Sequence, residues 1–259
     1  MLIEKFACQF DALIILEFIV FSIGVMLLSR RLFRPIIKCK LNMNLTPVLS
    51  RLNDTMRGAF LVIIAFAISG SYSNYRNMTT IVGTEALQIN KLDQLLIENK
   101  INNTPSIRQN LSIYVQSIIN DEWPELYLGH RNQKTQKIWE NFSKQISNIN
   151  PSNAQISVYQ DIIKLTSSIN ESRESRIASA SLKIPGIFWV SILILFVARF
   201  LLFTCYDETK EEAFAMSFDV GLLAALIGVI FILDSSYART TRIGPQSFQE
   251  TIQLINSRS

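Results

Sequence analysis

The chain has 259 residues, of which 49% are hydrophobic and only 18% charged, and its mean hydropathy is +0.24. That is more apolar surface than a water-soluble domain of ordinary composition carries, so part of it must face something other than water. The net charge of +4 is small, and Lys and Arg form no stripe interleaved with aromatics, which excludes a nucleic-acid surface.

The first apolar run, 12–28, is interrupted only by Glu17 and Ser22. At about 1.5 Å per residue it is just long enough for a hydrocarbon core of about 30 Å. A cleavable signal peptide is disfavoured, because the dense positive charge follows the run instead of preceding it. That charge fills the loop 29–57, where Arg30, Arg31, Arg34, Lys38, Lys40, Arg51 and Arg57 face a single acid, Asp54. Short basic loops stay in the cytoplasm, which places the amino terminus, residues 76–183 and the carboxyl terminus outside. The second span, 58–74, ends among the interfacial aromatics Tyr72 and Tyr75. Two rows at four-residue steps share this span: Val62, Phe66 and Gly70, and Phe60, Ile64 and Ile68. The first row is a candidate pore lining, although helix packing explains such a row equally well.

Residues 76–183 show helical periodicity and no strand alternation. Val82, Ile89, Leu92 and Leu96 continue directly from the second span as one long helix. Thr104 and Pro105 open a helix marked by Ile107, Leu111, Tyr114 and Ile118, and Trp123-Pro124 is expected to end it. Ile138, Phe142, Ile146 and Ile149 mark the next, and Pro151-Ser152-Asn153 breaks it and caps a fourth with Val158, Ile162, Leu165 and Ile169. Four amphipathic helices bury one another's stripes, which predicts a helical bundle. The run Glu171, Arg173, Glu174 and Arg176 reads as a solvated face.

The third and fourth spans are 185–206, with Pro185, Trp189 and Arg199, and 213–234, with Asp219 and Asp234, followed by a polar tail 235–259. Charges inside a bilayer call for a partner or a purpose. Arg199 and Asp219 fall at similar depth on spans joined by a short turn, so an ion pair between them is expected. Glu17 pairs across helices or reaches the interface. Cys8, Cys39 and Cys205 lie far apart and His130 is the only histidine, so no metal or cofactor site is expected. Glu85 and Glu122 are candidate ligand carboxylates, or hold a helix junction by hydrogen bonds.

Several residues in order carry a resemblance: Tyr75 with Glu85-Ala86 ten positions later, Leu111 to Tyr114 leading to Glu122-Trp123-Pro124, Leu182 to Trp189 around Pro185, and Leu233-Asp234 before Pro245, Phe248 and Gln249. In these the chain resembles a bestrophin-like family of bacterial four-span membrane proteins with a domain of unknown function. It departs after Asp234, where Ser235-Ser236-Tyr237-Ala238 replaces the family's proline, aromatic and glycine. The resemblance implies a homo-oligomer in the lipid bilayer, since bestrophins are pentameric anion channels whose second spans line the pore. It also implies a cytoplasmic helical region, opposite to what the seven basic residues of the loop predict.

The sequence therefore predicts an all-α protein of a bacterial inner membrane: spans 12–28 and 58–74 in residues 1–75, a helical bundle over 76–183, and spans 185–206 and 213–234. It has no phosphate-cradling glycine loop and no nucleophile with a base at sensible spacing, which weighs against an enzyme. The function expected is an oligomeric ion channel; the alternative is an extracytoplasmic sensory or interaction module that signals through a partner.

Overall fold

A computed structural model describes residues 2–33, 46–99, 103–126, 130–205, 210–234 and 243–258. The basic residues Arg34, Lys38 and Lys40, Cys39, and the departure Ser235–Ala238 lie outside the described residues. Those described contain helices and no strand. The helices are α1 (Leu2–Phe33), α2 (Thr46–Glu98), α3 (Thr104–Ser117), α4 (Trp123–Leu126), α5 (Gln133–Ser147), α6 (Ile156–Ala180), α7 (Gly186–Cys205), α8 (Lys210–Leu233) and α9 (Gln246–Ser257). The chain divides into two compact units. One takes residues 2–33, 46–73, 183–205 and 210–234, and the other takes 74–99, 103–126, 130–182 and 243–258.

In the first unit α1 lies antiparallel to α8. A Cβ added at Gly221 meets Ile19 and Ile23, and one added at Gly228 meets the Ile15 backbone at 3.4 Å, so the two glycines let these helices approach closely. Phe60, Ile64 and Ala67 of α2 bury themselves with Ile192 of α7 and with Leu223 and Ile230 of α8. The outside is apolar: Phe21, Phe66, Ile187, Phe214 and Phe218 are each at least 67% exposed, the reverse of a surface built for water. By length and composition, α2 and Met216–Leu233 are long and apolar enough to cross a membrane, while Ala12–Leu28 and Gly186–Arg199 are shorter apolar stretches. The buried Ser71 hydroxyl is satisfied within its own helix, donating to the Ala67 carbonyl at 2.8 Å.

The second unit buries the expected seams. Val82, Ile89, Leu92, Leu96, Ile107, Leu111, Tyr114, Ile118, Phe142, Ile146, Ile149, Ile162 and Ile169 form one core, with Ile138, Val158 and Leu165 packed against it. Asn103 enters α3 with φ 63°, a left-handed conformation that asparagine tolerates. Asn132 caps α5 by accepting from the Thr135 N–H at 2.9 Å, and Ser152 and Gln155 form a capping box before α6. In two places the structure differs from expectation. Trp123-Pro124 does not end a helix: α3 passes through a π turn, Ile118–Glu122, into α4. The wide turn carries the Trp123 N–H to the Ile118 carbonyl and lets Trp123 keep helical geometry before a proline. The segment read as a polar tail contributes α9, whose Phe248 and Ile255 join the core.

Candidate functional site

Each unit holds a cluster of paired charges. In the second unit the π turn aims Glu122 inward, α2 supplies Glu85, and α6 supplies Arg173 and Arg176; all four side chains are fully buried. Arg176 donates from Nε to Glu85 Oε2 at 2.7 Å and from Nη2 to Glu85 Oε1 at 3.2 Å and Glu122 Oε2 at 2.7 Å. Arg173 donates from Nη2 to Glu122 Oε1 at 2.7 Å and from Nη1 to Gln136 Oε1 at 2.6 Å. The Tyr114 hydroxyl donates to Glu85 Oε1 at 3.3 Å. Two buried cations face two buried anions, with Glu174 3.7 Å from Arg173 at the edge, and every oxygen of Glu85 and Glu122 has a donor, which is the condition under which buried charge is tolerated. The faces of Trp123 and Phe248 lie 5.7 and 5.5 Å from the Arg176 guanidinium carbon, so α9 closes the cluster by cation–π contact.

Burial would lower the Arg176 pKa, but Glu85 and Glu122 outweigh it and hold the pKa above its ordinary value. Burial, then the Glu85 charge, pushes the Tyr114 hydroxyl well above the usual phenol range. Arg173 Nε and Arg176 Nη1 have no acceptor. A second set ties α9 down: Arg108 donates to buried Asp93 at 2.6 Å and to the Ile255 carbonyl at 2.9 Å, and Arg258 donates to Asn90 at 2.8 Å.

In the first unit Asp219 receives Arg199 on Oδ2 and lies 3.2 Å from Arg57 Nε through Oδ1. Asp234 accepts from the Ile184 N–H through Oδ1 at 2.6 Å, just before α7 begins, and the Pro185 carbonyl accepts from Phe188 at 2.9 Å. The end of α8 and the start of α7 are thereby stitched, with the carboxylate on amides that have no partner inside the helix. Glu17 is exposed on α1.

The two rows on α2 part company within this unit. Phe60 and Ile64 are buried and Ile68 is partly buried, whereas Val62 is 54% exposed, Phe66 is 67% exposed, and Gly70 is open with nothing near a Cβ built on it. Among the resemblance residues, Glu85, Glu122 and Trp123 meet in one cluster and Pro124 follows in α4. Tyr75 packs separately against the bundle core.

Arg173 and Arg176, read as solvated, are a correction: both are fully buried. The stripe of α6 steps through Ile162, Thr166 and Ile169, and continuing by four and three lands on Arg173 and Arg176, a spacing that marks them as inward-facing. Asp93, Arg108 and Arg258 also went unmarked in the sequence. His130 is exposed, its backbone bonded to the Glu125 carbonyl at 3.4 Å. Among the described residues no three His, Cys, Asp or Glu gather to hold a metal ion.

The sequence matches the family described as bestrophin-like domain over residues 18–248. No curated protein matches it. Similar solved structures include one variant of a bacterial bestrophin homologue from Klebsiella pneumoniae, 12% identical with a TM-score of 0.67 over 94% of this chain and 98% of that one. Another variant of that homologue is 11% identical with a TM-score of 0.68 over the same shares. A crystal structure described as that of a membrane protein is 11% identical, with a TM-score of 0.67 over 94% of this chain and 97% of that one.

Proposed function

Because the chain belongs to the bestrophin-like family, we propose that it assembles as a homo-oligomeric ion channel whose subunits each cross the cell membrane four times and line a pore with α2. The reading rests on one observation above all. α2 buries its Phe60–Ile64 side on α7 and α8 and leaves the Val62–Phe66–Gly70 side open. An apolar row ending in a glycine, exposed in the single subunit, suits a hydrophobic constriction made by the same row from several subunits. The apolar exterior of the first unit suits lipid elsewhere, and α7 and α8, with 20 and 24 residues, have about the length a hydrocarbon core needs.

The bundle over 76–183 is then a water-facing domain inserted between the second and third spans, and the loop 29–57 lies in the cytoplasm on the strength of its basic residues. Orientation is tested in a cysteine-free background by Lys134→Cys, whose native side chain is 68% exposed. Labelling by an impermeant reagent in intact cells is expected; silence reverses the topology. The function itself is tested by mass measurement of the detergent-solubilised particle and by current through planar bilayers. A ring of several subunits that passes ions is expected, and a strict monomer without conductance overturns the reading.

A further inference from the structure

Among the described residues, the charge cluster of the first unit is unbalanced. Two guanidinium groups, on α2 and α7, share the one carboxylate of Asp219 on α8. Arg199 is only 8% exposed and its Nη1 has no acceptor, while Arg57 is 50% exposed. A guanidinium carries five donors in a fixed fork, so a donor left free beside a half-exposed second guanidinium suits an anionic acceptor.

Position on the helices says what is at hand. Arg57 immediately precedes the apolar run of α2, whereas Arg199 lies seven residues before the end of the span 185–206 and Asp219 six residues into the span 213–234. The three meet within about two helical turns of the ends of three spans, on the side that Arg57 marks. Given the membrane crossing proposed above, on which this inference rests, that is just below the headgroup level of one leaflet, within reach of guanidinium groups that extend toward it. The anion abundant there is the phosphate of a phospholipid, whose oxygens fit a guanidinium fork. We infer that Arg57 and Arg199, held in place by Asp219, form a binding site for the phosphate of an anionic phospholipid headgroup. Asp219 is a positioning residue: it accepts from Arg199 and lies beside Arg57, and its own negative charge directs the phosphate to the opposite side of the pair. Arg31 and Arg51, exposed on α1 and α2, add only general attraction to a negative surface.

The test is native mass spectrometry of the full-length protein in detergent, mixed in separate arms with phosphatidylglycerol, phosphatidylcholine and inorganic phosphate. Wild type is expected to retain phosphatidylglycerol over phosphatidylcholine, and inorganic phosphate is expected neither to stay bound nor to displace the lipid. Arg57→Gln, at a half-exposed position that folding tolerates, is expected to weaken phosphatidylglycerol retention about five-fold, and Arg51→Gln to change it little. Equal retention of the two lipids, equal loss in both variants, or displacement by inorganic phosphate overturns the site. A protein that stays dissolved without detergent overturns the membrane reading instead, so the two failures are distinguishable.

Discussion

The cluster around Glu122 and the cluster around Asp219 both hold guanidinium against carboxylate away from water, and they are balanced differently. In the bundle two buried acids meet two buried bases, with Tyr114 and Gln136 as further hydrogen-bond partners. Among the described residues of the apolar unit, one acid meets two bases. A balanced buried cluster contributes specificity: it fixes which faces of α2, α6 and the π turn meet, because any other register strands a charge. An unbalanced one at the edge of an apolar helix is suited to taking up a ligand. Neighbouring elements follow the same division, since α9 seals the first cluster with Phe248 and Arg57 leaves the second half open.

The contrast breaks most severely at Arg176. Arg176→Ala strands Glu85 without its guanidinium, and a loss of about 3–5 kcal/mol is expected in thermal or denaturant unfolding of the detergent-solubilised protein. The paired replacement of Glu85 by Leu and Arg176 by Met is expected to recover most of it; equal damage from both variants shows that shape, not charge, holds the junction. Phe248→Ala empties the site between Trp123 and Arg176, with a loss of about 3 kcal/mol expected and faster proteolysis of α9. No change in either measurement means that α9 merely rests on the bundle.

Tyr114→Phe removes one long hydrogen bond to Glu85, for about 1 kcal/mol at neutral pH. That difference is itself pH-dependent. The folded state holds the phenolic proton more tightly than the unfolded chain, so wild type keeps the full advantage below pH 10. Above pH 10.0, the ordinary phenol value, the unfolded chain loses the proton first, and the wild-type advantage shrinks by about 1.4 kcal/mol per pH unit until the folded state also ionises. Unfolding curves of wild type and Tyr114→Phe that stay parallel from pH 9 to 11 contradict this account of Tyr114.

Much of the bundle was legible because its helices are amphipathic: seam residues from Val82 to Ile169 are apolar at three- and four-residue steps, and the structure buries them. The same spacing pointed at Arg173 and Arg176, but an alternation of Glu and Arg reads as solvated whenever charge outweighs register. α9 was missed for another reason. Phe248, Ile252 and Ile255 mark its face, yet a 12-residue helix is marginal alone and is stabilised by docking that no local pattern reveals. Arg199 and Asp219 are close enough in sequence for depth counting to bring them level, whereas Arg57 reaches the same carboxylate from a helix far earlier in the chain. The π turn has no sequence signal beyond Trp123-Pro124, which more often ends a helix.

The central claim is that the open face of α2 lines the path of ions, and single-channel current in planar bilayers tests it most directly. Phe66→Ala is expected to raise unitary conductance by widening the constriction, while Phe21→Ala, on the exposed apolar side of α1, leaves it unchanged. Identical currents from wild type and Phe66→Ala, or no current from either, contradict the claim.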